Sequence, residues 1–417
     1  MTCDRLLEIV TEGYLSSSDF NGFSLRAMRD AFPDLHSLTR LVTDLVTSKR
    51  LQLLFDGVDE NPAIKRFGVT SCIEQVRLLR EHGVLAACAY PSDSHLADVV
   101  DPKQYADRPF TLRLALGEPQ LSFQAFDVTV LEMYRNDPRF EYECDDTQGS
   151  ISLSRKYRDQ MRLSQDSFLE TFSFAYDDSG MRFVAVYLRY LRGLTPEHQQ
   201  IWNINASPGK YRIHPDYRRI TVGQPPLGQS VFNAILDELR TINAFCGQMG
   251  RPPLFKNECK EKPKEFSFLI RPTYSQYGAF VLKLDQILSD NISANFFMGE
   301  IEPTETTQRR DGNLTTQPKG TIKMLDEWLR ERFHPVEPEM GVALFDGFRR
   351  VRKERQRPAH VLQPDAFDET YHQRQRDLLT VAHDSLRLLR TAFQLHPEVR
   401  PAEVPWLPPD ERPIWFR

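Results

Sequence analysis

The chain lacks most of the features that would assign it to a class at once. Its six cysteines, Cys3, Cys72, Cys88, Cys144, Cys246 and Cys259, include no C-x-x-C pair, so neither a zinc knuckle nor a disulfide framework is indicated and free thiols are expected. No apolar run approaches the roughly 18 to 20 residues of a spanning helix; even RFVAVYLRYL is interrupted by Arg189. The opening stretch MTCDRLLEIVTEGYLSSSDF has no basic segment, apolar core or small-residue cleavage site, which leads to the expectation of a cytoplasmic protein with no membrane partner. Cationic excess is missing too: the formal charge is −5, so attraction to a polyanion has to come from a local patch. No cluster of histidine, cysteine and carboxylate at metal-ligand spacing is present, and no metal or cofactor is expected.

What is present is the composition of an ordered globular chain, 40% apolar and 27% charged over 417 residues, a length that suggests roughly two to four domains. The expected fold class is α+β multidomain. Residues 1–70 read as three short helices followed by a hairpin: LLEIVTEGYL, SLRAMRDAF and LHSLTRLVTDLVTSKR have helical spacing, and LQLLF and AIKRFGV flank the turn DGVDENP. That element order resembles a winged helix-turn-helix, a module that binds DNA or docks a protein. The third helix carries Arg40, Lys49 and Arg50 against Asp34 and Asp44, so both partners remain open.

Residues 71–266 read as a mixed α/β middle domain. TLRLAL, LSFQAFDVTVLEMY, FEYEC and ISLS show strand-like alternation, whereas CIEQVRLLREHG and SFLETFSFAY read as helices. RFVAVYLRYLRGLTPEHQQIWNINA reads as a helix, a turn at Thr195-Pro196 and a second short helix. The acidic DDTQGS, with Asp145 and Asp146, reads as a solvated turn in preference to a cation site. GRPPLFKNECKEKPKEF, dense in proline, lysine and glutamate, reads as a linker.

Residues 267–396 are the most legible part. YGAFVLKLDQILSDN, TIKMLDEWLRERF, VALFDGFRRVRKERQ and AFDETYHQRQRDLLTVAHDSLRLLRTAFQL are each amphipathic, and an antiparallel bundle is the expected outcome. In the last helix Tyr371, Leu379, Ala382, Leu386, Leu389 and Phe393 share a face, and Pro364-Asp365 offers a stop and an N-cap. The polar connection IEPTETTQRRDGNLTTQPKG is expected to be an irregular excursion. Residues 397–417 form a proline-rich tail whose Trp406, Trp415 and Phe416 are expected to pack against something.

Function is most nearly written in VRKERQRPAH, Val351 to His360, which gathers four cations around one carboxylate. Leu344, Phe348 and Val351 mark the buried side of the helix that enters it, so Arg349, Arg350, Lys353 and Arg357 project elsewhere. Pro358 disfavours helix at Arg357, which puts Arg355 and His360 across a helix-to-loop junction. A cationic cluster there complements its own helix dipole or binds a polyanion.

Arg355-Gln356-Arg357-Pro358-Ala359-His360 resembles the R-x4-6-H motif of HEPN domains, helical bundles that include prokaryotic ribonucleases of toxin and antiviral defence systems. Arg29 to His36, Arg77 to His82, Arg192 to His198, Arg376 to His383 and Arg390 to His396 also fall within the R-x4-6-H range; only the pair ending at His360 sits at a junction of bundle helices. Gln356 stands where a shorter polar residue, usually asparagine, is commoner in the family. The resemblance implies a metal-independent endoribonuclease with His360 and Arg355 catalytic and a homodimer across which the site forms. RNA would then be contacted by Arg349, Arg350, Arg352, Lys353 and Arg357. The alternative is a non-catalytic nucleic-acid-binding or assembly protein with a dimerising bundle.

Overall fold

Helix α1 (Cys3–Ser16) begins where the Thr2 hydroxyl accepts the Arg5 amide, and it buries Leu6, Leu7, Val10 and Tyr14 along one face. After a two-residue strand β1 (Phe23–Ser24), Asp34 caps α2 (Leu35–Thr47) by accepting the His36 amide, and the fully buried β2 (Leu51–Phe55) follows. In this computed structural model the chain divides into two compact units, residues 1–142 with 150–212 and residues 143–149 with 213–417; no break falls at residue 70 or 266, where the sequence suggested domain boundaries. The structure describes residues 2–32, 34–68, 70–158, 160, 166–260, 262–308, 314–334, 338–356, 364–404 and 413–416.

The hairpin expected around Asp56 to Pro62 does not form with AIKRFGV. The partner of β2 is β3 (Ala87–Pro91), which arrives only after α3 (Cys72–His82), with Leu53 opposite Ala89 in an antiparallel sheet of order β1-β3-β2. The reason is local. Lys65 is pulled inward, its ammonium donating to Asp93 Oδ1 and to the Gly117 carbonyl at 2.6 Å each, while ACAYP buries all five residues as a central strand.

Further along the chain come α4 (Asp93–Val99), α5 (Pro109–Ala115), β4 (Phe123–Phe126), α6 (Glu132–Arg135), β5 (Phe140–Cys144), β6 (Gln148–Leu153), α7 (Arg155–Arg158), β7 (Phe168–Tyr176), β8 (Arg182–Tyr187), α8 (Leu188–Leu191) and α9 (Pro196–Ile204). The strands lie in the order β4-β8-β7-β6-β5. Four assignments change. LSFQAFDVTVLEMY is strand only in β4; Asp127 then accepts the Thr129 amide and the second half turns helical, ending in α6. TLRLAL lies in helix α5, because Pro109 opens it and Phe110, Thr111, Leu114 and Ala115 are buried at helical spacing. SFLETFSFAY is strand β7, paired with β8 so that Ser173 faces Ala185 and Ala175 faces Phe183. RFVAVY is the strand β8 rather than a helix, its last four residues buried; short apolar runs do not distinguish the two. The second half of that stretch is the helix expected, with Thr195 capping α9 and Pro196 in its first turn.

The chain passes to the second unit at β9 (Arg212–Ile213), then forms α10 (Pro215–Thr221), β10 (Gln229–Ser230), α11 (Val231–Gln248), α12 (Tyr274–Ile287), β11 (Thr304–Gln308), β12 (Leu314–Pro318), α13 (Thr321–Arg332), α14 (Pro338–Gln356), α15 (Thr370–Gln394) and β13 (Ile414–Trp415). The helices expected within 267–396 are all present. The C-terminal helical region, however, begins earlier: α11, inside the region read as the middle domain, packs along α15, which also packs on α14. Its apolar residues Ile235, Leu239, Ile242 and Phe245 join one core with Leu284, Leu344, Phe348, Val351, Leu386 and Leu389. The polar connection carries a regular element, with β11 and β12 antiparallel from Thr304 opposite Pro318 to Gln308 opposite Leu314. Asp365 does not cap α15; its carboxylate accepts the Ser275 amide in the first turn of α12, 2.8 Å away.

Gly347 sets how closely α14 approaches α15. Its amide donates to Ser385 Oγ at 2.9 Å, and a Cβ there would lie 2.4 Å from the Val381 carbonyl oxygen. Alanine normally favours a helix over glycine by about 1 kcal/mol. Here Gly347→Ala is expected to lose roughly 1–3 kcal/mol through overpacking, read as a lower urea midpoint; an unchanged or raised midpoint would refute the close contact.

Candidate functional site

The end of α14 is built from a buried stripe and a charged remainder. Leu344, Phe348 and Val351 are buried, as the sequence indicated, which turns Arg352 and Arg355 together toward α12. There they meet Asp285, whose side chain is 0% exposed, and Asp290. Arg355 Nη1 lies 2.5 Å from Asp285 Oδ2 and 2.5 Å from Asp290 Oδ2. Arg352 lies 2.8 Å from Asp290 Oδ1 through Nη2 and 3.3 Å from Asp285 Oδ1 through Nε. Two guanidiniums one helical turn apart are thus clamped by two carboxylates, while about a third of each arginine side chain stays exposed, 31% and 33%.

Hydrogen bonds to Asp285 and Asp290 raise the Arg355 guanidinium above its already high value. At Asp290 burial works upward, but the hydrogen bonds from Arg355 and Arg352 win and hold the carboxyl below its ordinary value. A carboxyl lowered on folding contributes stability that is complete above its unfolded pKa and is lost as the pH falls through its folded one. The acid side of the stability profile is therefore expected to flatten in Asp290→Asn, measured by urea unfolding between neutral pH and pH 3; a profile that does not change would show the pair to be energetically silent.

Between α12 and α15, Glu354 accepts from Tyr277 Oη at 3.3 Å and pairs with Arg374. The Arg374 guanidinium stacks over Tyr277 and Tyr371, whose rings are themselves stacked 4.8 Å apart. Burial, with the nearby Glu354 charge, raises the Tyr277 phenol. These contacts fix the last turn of α14 from both flanks.

The remaining residues singled out in the sequence divide as follows. Arg349 is exposed and pairs with Asp326 at 2.9 Å, and Arg350 pairs with Asp346 at 2.8 Å. Lys353 is exposed. Arg357 and His360 lie outside the described residues. What reads along the chain as a cationic cluster is interleaved in space with carboxylates from α12, α13 and α14 itself. Asp285 and Asp290 were not singled out, although one signal was available: Asp285 is an acid in the apolar register of α12, beside Val281, Leu284 and Leu288, all buried.

Other histidines in the same spacing pattern have structural settings. His198 is buried with Nδ1 2.6 Å from Tyr134 Oη; His383 is buried in α15, and burial lowers its imidazole. His396 Nδ1 accepts the Glu398 amide. In α2, Arg40 is exposed, as is Asp44; Lys49, just past the helix end, is exposed as well, and Arg50 pairs with Asp4 at 2.7 Å. In DDTQGS the turn is confined to Asp145–Thr147 and is not solvated, since Asp146 and Thr147 are buried and QGS opens β6: Asp145 Oδ1 accepts from the Thr147 and Gln148 amides and the Thr147 hydroxyl, and Asp146, at φ 72°, accepts from Ser230 and Lys262.

Within the second unit a polar cavity of about 450 Å³ is lined by Asp145, Gln148, Asn233, Asp237, Arg240 and Lys262 among others. Two of its cations are paired, Arg240 with Asp237 at 2.9 Å and Lys262 with Asp146 at 3.1 Å, and Lys260 lines it as well. All six cysteines are free, no metal-binding cluster occurs among the described residues, and no described helix is long and apolar enough to cross a membrane. Comparison with protein-family models, with curated proteins and with solved structures gives no match.

Proposed function

We propose that the second unit is a metal-independent endoribonuclease acting at the end of α14, with Arg355 facing the scissile phosphate and His360 taking the proton of the ribose 2′-hydroxyl. The observation that carries this reading is the clamp on Arg355. A cation that must stabilise charge in a transition state works best when it is oriented beforehand, and Arg355 is held by a fully buried carboxylate with part of its fork left open. Burying Asp285 is costly and gives little net stability, so such a clamp is better explained by positioning than by strength. Imidazole is the side chain whose ordinary pKa suits a base near neutral pH. A site shared across a homodimer, and a defence or toxin role, belong to the same proposal through the family resemblance.

A second reading is favoured by a different observation. Arg349, Arg350, Arg352 and Arg355 each have a carboxylate within 3.3 Å, which reduces what the cluster can offer a polyanion and suits a non-catalytic binding or assembly bundle. The N-terminal order of α1, β1, α2, β2 and β3, with β1-β3-β2 pairing and α3 inserted before the last strand, supports a winged-helix-like module that would contact DNA or protein through the exposed side of α2. Incubation of purified protein with single-stranded RNA in EDTA decides between them: cleavage that depends on His360 supports the nuclease, and intact RNA supports the scaffold.

A further inference from the structure

The stretch Pro413-Ile-Trp-Phe416 is aromatic and follows a run too rich in proline for a helix. It docks as β13, parallel to β10, with Ile414 beside Gln229 and Trp415 beside Ser230; the Gln229 amide donates to the Pro413 carbonyl at 3.0 Å. The Trp415 indole N–H donates to Asp216 Oδ2 at 2.7 Å. The same indole meets the His214 ring edge-on, with centroids 5.1 Å apart, and Phe416 meets His383 edge-on.

The groove that receives these residues does not depend on them. Asp216, 1% exposed, already accepts the Leu227 amide at 2.6 Å and the Gly228 amide at 3.2 Å, so its carboxylate stays satisfied and aimed when Trp415 leaves. Gly228 opens the space. A Cβ there would stand 2.4 Å from the Pro413 carbonyl oxygen and 2.6 Å from Trp415 Nε1, although the glycine backbone is not in the left-handed region. The docked segment is held by a two-residue ladder, one indole hydrogen bond, the two ring contacts and the packing of Ile414 and Phe416 against the core. Pro413 is exposed and Ile414, Trp415 and Phe416 are only half-buried, which places the segment at the easily opened end of the structure.

We infer that this groove is a preformed receptor for an extended Pro-Ile-Trp-Phe segment, occupied in cis by residues 413–416 and able to release them. Main-chain pairing along β10 supplies affinity, and the Asp216 carboxylate selects an indole by its N–H. Tethering gives the cis segment an effective concentration in the millimolar range, so a free peptide should enter only when the cis segment cannot.

The test uses the full chain and a fluorescein-labelled peptide of residues 411–417, read by anisotropy. The peptide is expected to bind Trp415→Ala at least tenfold more tightly than wild type. Binding should be lost when Gly228→Ala is added, or when the peptide carries alanine in place of its tryptophan. Failure to bind Trp415→Ala, or equal binding to the Gly228→Ala double variant, overturns the receptor. A wild-type dimer that dissociates on Trp415→Ala overturns the cis occupancy. If Trp415→Ala does not fold, hydrogen exchange in Trp415→Phe, which keeps a ring and loses the donor, replaces it. Exchange at Ile414 to Phe416 should then quicken at least tenfold there and in Gly228→Ala; unchanged protection in both overturns the proposal.

Discussion

Protein carrying His360→Ala is expected to cleave single-stranded RNA about a hundredfold to ten-thousandfold more slowly than wild type in EDTA, the usual contribution of a general acid or base, while binding it almost as well. The two readouts separate because phosphate contacts set affinity, whereas the base acts only in the chemical step. Arg355 requires a subtler variant. Arg355→Ala would leave buried Asp285 with Arg352 as its remaining guanidinium partner in the clamp, so lost stability would be confused with lost chemistry. Arg355→Lys keeps the charge but not the planar fork that matches a carboxylate or phosphate. It is expected to lower kcat much more than the urea midpoint, and Asp285→Asn should do the same by loosening the fork. If the wild-type protein cleaves no RNA, or His360→Ala cleaves it equally well, the nuclease reading falls and the scaffold reading stands.

Much of the second unit was legible because its helices advertise one face each. Tyr371, Leu379, Ala382, Leu386, Leu389 and Phe393, placed on one side of α15 by spacing alone, are all buried. Helix α11 gave no such contrast, since Val231, Phe232, Ala234, Ile235, Leu236 and Leu239 are buried nearly all round its first turns, and a run of that kind carries no period to read. In the first unit β7 and β8 were missed for a related reason: a short apolar segment buried on both sides looks alike as helix or strand. The partner of β2 was missed because it lies beyond an inserted helix, and strand pairing across such a distance leaves no local mark. The candidate site shows the same limit. Its cations stand together in VRKERQRPAH, but the carboxylates that clamp Arg352 and Arg355 come from Asp285 and Asp290, on α12 and the turn after it, and only the fold brings them together.

The largest loss of stability from one side chain is expected at Glu238 and Arg390, which join α11 to α15. Arg390 Nε lies 2.8 Å from Glu238 Oε2 and both side chains are only 4% exposed, among Ile235, Leu239, Ile242, Leu386 and Leu389 of the common core. Removing one member of a buried pair takes from the other the guanidinium–carboxylate contact that offsets its burial, at a cost of about 3–5 kcal/mol, even though Arg390 keeps its hydrogen bond to Gln394 Oε1. Glu238→Ala and Arg390→Ala should each fall in that range by urea unfolding. Replacing both by apolar residues of similar size, Glu238→Leu with Arg390→Met, removes the desolvation penalty along with the attraction, and such exchanges are often neutral or stabilising by about 1–4 kcal/mol. The double variant should therefore be far more stable than either single alanine variant, and a cycle built on Glu238→Leu and Arg390→Met should be strongly non-additive. Single losses below about 1 kcal/mol, the size of an exposed pair, would mean that water reaches the pair and that α11 is held to the bundle by its apolar face alone.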